Sequence, residues 1–162
     1  MSMDDYLSEI EFAGLISRIK RLSDEILYST RDYYKTVGLD IEPNWHLIFL
    51  LLEEYESMTI TEIAQELRMS HPACVKIINK MKKKGYVTTR TDDRDLRRQL
   101  LELSEKSKKQ LPLFHKHWNA GMKTTEELVA NSPHFIKELK EMEIKISKKS
   151  YKERTLNNLD LR

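Results

Sequence analysis

The chain has 162 residues, of which 40% are hydrophobic and 33% charged, with a formal net charge of +2. That is enough for one domain with a real core, and four glycines and four prolines are too few for an all-β protein full of turns. A single cysteine excludes an internal disulfide framework and suits a reducing cytoplasm; the acidic N-terminus does not read as a signal peptide, and the longest apolar run, 47–52, is too short to span a bilayer.

Phe12, Leu15, Ile16, Ile19, Leu22 and Ile26 recur at helical spacing and predict one long first helix from about Asp5 to Val37, capped by Gly38. Pro43 opens a second helix. Trp45 to Leu52 is apolar nearly all round, the pattern of a short helix buried among others. Thr59 and Glu62 form a Thr-x-x-Glu capping box that starts a third helix, with Ile60, Ile63, Ala64 and Leu67 on one face.

Ser70 N-caps a fourth helix after a tight break, with Pro72 in its first turn. Cys74, Ile77, Ile78 and Met81 follow i, i+3, i+4, i+7 and form its buried face; His71, Pro72, Val75, Lys76, Asn79 and Lys80 point the other way. Gly85 stops the helix. Tyr86 to Thr91 reads as a strand, Asp92 to Leu96 as a polar turn, and Arg97 to Leu103 as the returning strand. Ser104 caps a fifth helix with Leu111, Phe114, Trp118, Met122 and Val129 at its apolar positions. Pro112 implies a kink there or a later start. Ser132-Pro133 reads as an N-cap and N1 proline opening a last helix, with Phe135, Leu139, Met142 and Ile146 on one side. Residues after Ser150 read as a polar tail. The fold class expected is mainly α with a small β-wing.

Residues 59–98 therefore have the order of a helix-turn-helix with an attached wing, a module that presents a helix to the DNA major groove. Charge agrees. Between Lys76 and Arg98 stand nine basic residues and three acidic ones, so the rest of the chain is net acidic. A local basic patch on a near-neutral protein is the footprint of a phosphate-binding face. In the fourth helix Asn79 suits adenine, Lys76 guanine or phosphate, and Pro72, Ala73 and Val75 thymine methyls. Lys80, Lys82, Lys83 and Lys84 suit phosphates, although a lysine-rich helix end also complements the helix dipole without any DNA. An arginine at the hairpin tip suits a narrow minor groove. The neighbouring carboxylates would repel phosphate unless they hold the arginines in place.

No catalytic constellation stands out, neither a glycine-rich phosphate loop nor a nucleophile elbow nor a His-Glu-x-x-His, so no enzyme activity and no cofactor is expected. His71 and Cys74 lack a second ligand pair, and Cys74 lies on the apolar face, so neither marks a metal. His115 and His117 are two apart on a helix and face different ways. A winged-helix protein–protein module without operator binding is the alternative function; steep salt dependence separates DNA binding from it.

Four stretches resemble the MarR (multiple antibiotic resistance regulator) family. They are Ile60-Thr61-Glu62-Ile63-Ala64-Gln65-Glu66-Leu67, then Ser70-x-Pro72-Ala73-x-Val75-Lys76-Ile77-Ile78-x-Lys80-Met81, then Lys84-Gly85-Tyr86-Val87, and the wing Asp95-x-Arg97 leading to Leu103-Ser104-Glu105-Lys106. The resemblance implies a winged helix-turn-helix with long terminal dimerisation helices. It implies a cytoplasmic homodimer on a near-palindromic operator in double-stranded DNA, and a repressor responding to a ligand. Residues 1–42 would supply an N-terminal dimerisation helix, 43–104 the DNA-binding lobe and 105–162 the C-terminal dimerisation helices, as one integrated domain. Ser70 to Lys80 would enter the major groove, with Lys83 beside it; Arg94 and Arg97 would serve the wing, Arg97 reaching the minor groove and Asp95 orienting it. Ser107 stands where the family often has glycine, which bears on helix onset. The family's peroxide sensors carry a reactive cysteine near the first helix, and this chain has none there. Small anionic or aromatic ligands of the family bind between the dimer helices and the DNA-binding lobe. Tyr34, Trp45, Phe49, His115 and Trp118 are candidates to line such a cleft, with Tyr33 and His46 near them, although aromatics at helical spacing are more often core.

Overall fold

The structure is a computed structural model that describes residues 5–160. Its contacts divide the chain into two compact units, one through Leu111 and one from Pro112 on.

The first unit opens with a short helix α1, Tyr6–Glu9, capped by the Asp5 carboxylate, which accepts the Ser8 N–H at 3.1 Å. A 3-10 turn, Glu11–Ala13, follows, and only then the long helix α2, Leu15–Thr36. The expected single helix from Asp5 is thus broken. Glu11 takes a positive φ of 44°, and a Cβ at Gly14 would overlap the Leu7 carbonyl oxygen. The chain doubles back closely enough there that only glycine fits. Helical spacing of apolar residues cannot reveal such a break, because Phe12 keeps the period while lying 87% exposed. Gly38 ends α2 as expected, at φ 74°. The N–H of Leu39 reaches the Tyr34 carbonyl and that of Gly38 the Lys35 carbonyl.

Pro43–Trp45 form a 3-10 turn that leads into α3, His46–Glu54. Ile48, Phe49 and Leu52 of α3 are buried, but Leu47 is half exposed, so the helix is covered on one side rather than all round. The capping box at Thr59 and Glu62 is present and starts α4, Ile60–Glu66. Ser70 caps α5, His71–Lys83, by accepting the Ala73 N–H at 3.4 Å. Cys74, Ile77, Ile78 and Met81 are its buried residues. The turn between α4 and α5 passes through Arg68 at φ 49°, the left-handed position usually given to glycine.

The wing is β2, Val87–Thr91, antiparallel to β3, Gln99–Leu103, with Val87 opposite Leu103 and Thr91 opposite Gln99. A third strand, β1 (Ser57–Met58), pairs with the other edge of β3, giving the order β1-β3-β2. Two residues carry too little pattern to announce a strand. The core of this unit gathers around Tyr86, whose ring meets Trp45 edge-on at 5.8 Å and Phe49 at 5.6 Å. Each such aromatic contributes roughly 1.5–3 kcal/mol by leaving water.

Ser104 caps α6, Glu105–Val129, accepting the Ser107 N–H at 3.1 Å. Helix α6 continues through Pro112 instead of starting after it. Pro112 lies on an exposed position, where water can take up the carbonyl it leaves unpaired.

In the second unit Phe114 and Trp118 of α6 are buried, while Met122 is 54% exposed. The next helix, α7, is Phe135–Lys148, two residues later than Ser132-Pro133 suggested. Its cap is His134, and the Ser132 carbonyl, not its hydroxyl, accepts the Phe135 N–H. The polar tail is in fact a further helix, α8, Tyr151–Asp160. A Ser150–Glu153 capping box starts it, Ser150 N–H donating to the Glu153 carboxylate at 2.8 Å and Glu153 N–H to the Ser150 hydroxyl at 3.2 Å. The Ser-x-x-Glu signal was legible; the lack of a continuous apolar stripe hid it. Residues 161 and 162 of the expected tail lie outside the described residues.

Candidate nucleic-acid interface

The capping box and the buried side of α5 together determine which face of α5 is free. With Cys74, Ile77, Ile78 and Met81 turned inward, His71, Pro72, Ala73, Lys76, Asn79, Lys80 and Lys83 are exposed and Val75 is half-buried. Hydrogen-bond donors and small apolar groups thus share one helix face, the mix that base edges and phosphates can use. Ser70 spends its hydroxyl on the α5 cap. Lys84 is not part of this face: its ammonium pairs with the Asp40 carboxylate, in the loop after α2. Cys74 is fully buried, with its thiol 3.6 Å from the Ile60 carbonyl oxygen, and burial pushes its pKa up. Exposed His71 and buried Cys74 therefore do not form a ligand pair.

The wing turn shows what its carboxylates do. One Asp95 oxygen accepts the Arg97 N–H at 3.0 Å and the Arg97 Nε at 3.4 Å, and the Asp95 carbonyl accepts the Arg98 N–H at 2.8 Å. Asp92 likewise accepts the Arg94 N–H at 2.9 Å. These are local turns built by Asx side chains. They shape the loop and leave the Arg97 side chain 94% exposed. The carboxylates hold the arginines, which resolves the apparent conflict of sign. Arg90, further down the hairpin, is engaged across the strands by Glu102.

Sequence reasoning missed Arg98. Its guanidinium reaches Glu62 at 2.6 Å and Asp92 at 3.7 Å, tying the wing to the first turn of α4. Glu62 serves two masters: its other carboxylate oxygen takes the Thr59 N–H at 2.7 Å and the Thr59 hydroxyl at 2.9 Å. The Thr59 N–H above all, then its hydroxyl and Arg98, hold this carboxyl below its usual pKa against the opposing pull of burial. The Thr-x-x-Glu spacing announced the cap but carried no signal for a partner 36 residues away.

The aromatic ligand candidates are largely core. Tyr34, Trp45 and Phe49 are buried in the first unit, the latter two packed on Tyr86. On α6, Trp118 is buried and half-buried His115 sits edge-on to it at 5.3 Å. One cleft of about 260 Å³ in the first unit lies beside α5. It is lined by Trp45 and by Arg31, Glu42, Lys76, Ile77 and Lys80, among others.

An exposed polar helix face, a preceding helix joined by a tight turn, and a hairpin with an outward arginine define a winged helix-turn-helix. Residues 39–98 match the model of the MarR family, and the lobe they lie in is a winged helix-turn-helix. Solved structures agree in fold. A MarR protein from Peptoclostridium difficile is 18% identical, with 94% of this chain and 97% of that chain covered and a TM-score of 0.70. A mutant MarR from E. coli complexed with operator DNA is 19% identical, covering 88% and 99%, with a TM-score of 0.65. The adhesin competence repressor of Streptococcus pyogenes is 19% identical, covering 84% and 96%, with a TM-score of 0.58. No curated protein matches the chain significantly in sequence. Among the described residues no helix is long and apolar enough to cross a membrane.

Proposed function

We propose that the chain is a sequence-specific, double-stranded-DNA-binding transcription regulator acting as a homodimer on a near-palindromic operator, as a ligand-responsive repressor. The observation that carries the reading is the pairing of a free α5 face with an outward wing arginine held by its own aspartate. Lys76 and Asn79 read base edges in the major groove, and Pro72, Val75 and His71 shape the contact around them. Lys80 and Lys83 meet phosphates, with the Ser70 end of α5 nearest the bases. Arg97 enters the flanking minor groove, Asp95 sets its direction and Arg94 lies beside it. Two copies would place their α5 helices about one helical turn, ~34 Å, apart.

Two exposed apolar stripes support self-association. Leu15, Ile19, Leu22 and Ile26 of α2 are 37%, 46%, 54% and 46% exposed. Phe135, Leu139, Met142 and Ile146 of α7 repeat the same spacing, each about two-fifths exposed. Stripes of this length are normally covered by a partner. For the ligand response, an anionic aromatic molecule in the cleft by Trp45 would meet Arg31, Lys76 and Lys80 and withdraw both lysines from DNA. A ligand that binds the DNA-free form more tightly shifts the population away from the operator.

Selection of bound fragments from a random or genomic DNA pool tests the reading, followed by gel-shift titration across salt. Recovery of a near-palindromic site whose affinity falls steeply between low and moderate salt is expected. A protein that enriches no sequence, or binds with no salt dependence, would refute it in favour of a protein–protein module.

A further inference from the structure

We propose that Ser104, Lys106 and Ser107 are positioning residues for DNA reading, fastening the C-terminal turn of α5 to the start of α6 and so setting the angle at which the α5 face is presented. The proposal rests on the reading of α5 as the DNA-facing helix. It starts from three consecutive carbonyls, those of Lys84, Gly85 and Tyr86. Lys106 Nζ donates to the Lys84 carbonyl at 2.7 Å, and Ser104 Oγ to the Gly85 carbonyl at 2.7 Å. The Tyr86 carbonyl accepts the Ser107 hydroxyl and, at 3.0 Å, the Ser104 N–H. Every donor comes from one turn at the start of α6.

These bonds are not needed to end α5. The helix already closes on itself: the Tyr86 N–H bonds the Met81 carbonyl at 2.9 Å and the Gly85 N–H the Lys82 carbonyl at 2.9 Å, with Gly85 at φ 75°. What the three side chains add is attachment to a second element. Lys106 contributes twice more. Its ammonium stands at the negative end of the α5 dipole. It also lies 3.9 Å from the centre of the Tyr86 ring, the ring around which Trp45 and Phe49 pack. Ser107, the departure from glycine, is fully buried, so its hydroxyl bond is shielded from water. On the other flank Asp40 engages the Lys84 ammonium.

Leverage makes the attachment matter. Of the base-reading candidates, Pro72, Val75 and Lys76 sit in the first half of α5 and Asn79 just past its middle, while the fastening is at the C-terminal end. At 1.5 Å per residue Lys76 lies about 10 Å and the start of this 13-residue helix about 20 Å from the fastened end, so a tilt of about 5° moves them by about 0.9 Å and about 1.7 Å. Both exceed the roughly 0.5 Å window of a good hydrogen bond. Phosphate contacts through long lysines tolerate such a shift, and base contacts do not.

The test uses the full chain and three variants: Lys106→Met, Lys106→Arg, and Lys109→Met as an exposed-lysine control. Affinity is read on a DNA fragment recovered by the wild type from a random pool and on an unrelated fragment of equal length, each over a salt series. Amide hydrogen exchange is followed at Gly85, Tyr86 and Ser104. Lys106→Met is expected to bind the recovered fragment about tenfold more weakly. Its affinity for the unrelated fragment and its salt slope stay as in wild type, and the three amides exchange faster. Lys106→Arg restores most of the affinity, and Lys109→Met behaves as wild type. Parallel loss on both fragments with a shallower salt slope would make Lys106 a phosphate contact and overturn the proposal, as would unchanged exchange and affinity. If the wild type recovers no DNA, the DNA reading itself fails, and the exchange data still decide the fastening separately.

Discussion

Replacing Glu62 probes the joint between the helix-turn-helix and the wing. Its carboxylate closes the α4 capping box through Thr59 and anchors Arg98 of the wing, with distances of 2.7 Å and 2.6 Å. Loss of a cap interaction costs ~1 kcal/mol. The Arg98 pair is 45% and 42% exposed on its two sides, so solvent screening limits it to roughly 0–1 kcal/mol. Glu62→Ala should therefore destabilise the fold by about 1–2 kcal/mol, or about 2–4 °C in Tm per kcal/mol for a chain of this size. The sign of the pH dependence follows from the lowered pKa of Glu62 in the folded state. Unfolding then takes up protons at this site, so its contribution is complete above the ordinary carboxyl value of 4.5 and fades as pH falls through the lower folded value. Urea unfolding of wild type and Glu62→Gln at pH 7 and at about pH 3 measures this. The gap between the two proteins should be open at pH 7 and narrowed at the acid end. A gap that stays constant across pH refutes the role of the ionised carboxylate, and a double-mutant cycle of Glu62→Gln with Arg98→Met isolates the share due to Arg98.

Other outcomes follow from the same geometry. Arg97→Ala should weaken DNA binding and reduce the slope of log K against log salt by about 0.9 if its guanidinium meets a phosphate-lined minor groove; a gel shift equal to wild type removes it from the interface. Lys76→Ala should weaken binding to the recovered site more than to unrelated DNA, which competition titration reads directly. Arg68→Gly should stabilise the protein by about 0.5–1 kcal/mol, because Arg68 holds a left-handed conformation at φ 49°, and a lower urea midpoint would contradict that. Buried Cys74, its pKa raised by burial, should resist alkylation in the native protein and react only on unfolding; rapid native labelling would show the site to be open.

Much of the winged helix-turn-helix lobe was legible in one dimension because its signals are local. A cap acts within one turn, as at Thr59 and Ser70. A buried stripe repeats every 3.6 residues, as from Cys74 to Met81, and a glycine stop marks Gly85. The Asp95-x-Arg97 wing is also local, since the aspartate bonds a backbone N–H two residues on. The same stripe logic failed at residues 5–14, where a close backbone approach at Gly14 interrupts a continuous period. It failed again after Ser150, where a capping box begins a helix without a clear stripe.

The sequence by itself determined the helix-turn-helix, the free face of α5 and the family resemblance, because each depends on residues within a turn or two of one another. Only the tertiary structure decided which charges are spent on structure. Lys84 goes to Asp40, Arg98 to Glu62, Arg90 to Glu102 and Lys106 to the end of α5. Lys and Arg have long, flexible side chains whose partners lie up to 44 residues away, and no local periodicity encodes such a meeting. That sorting leaves Lys76, Lys80, Lys83 and Arg97 facing outward.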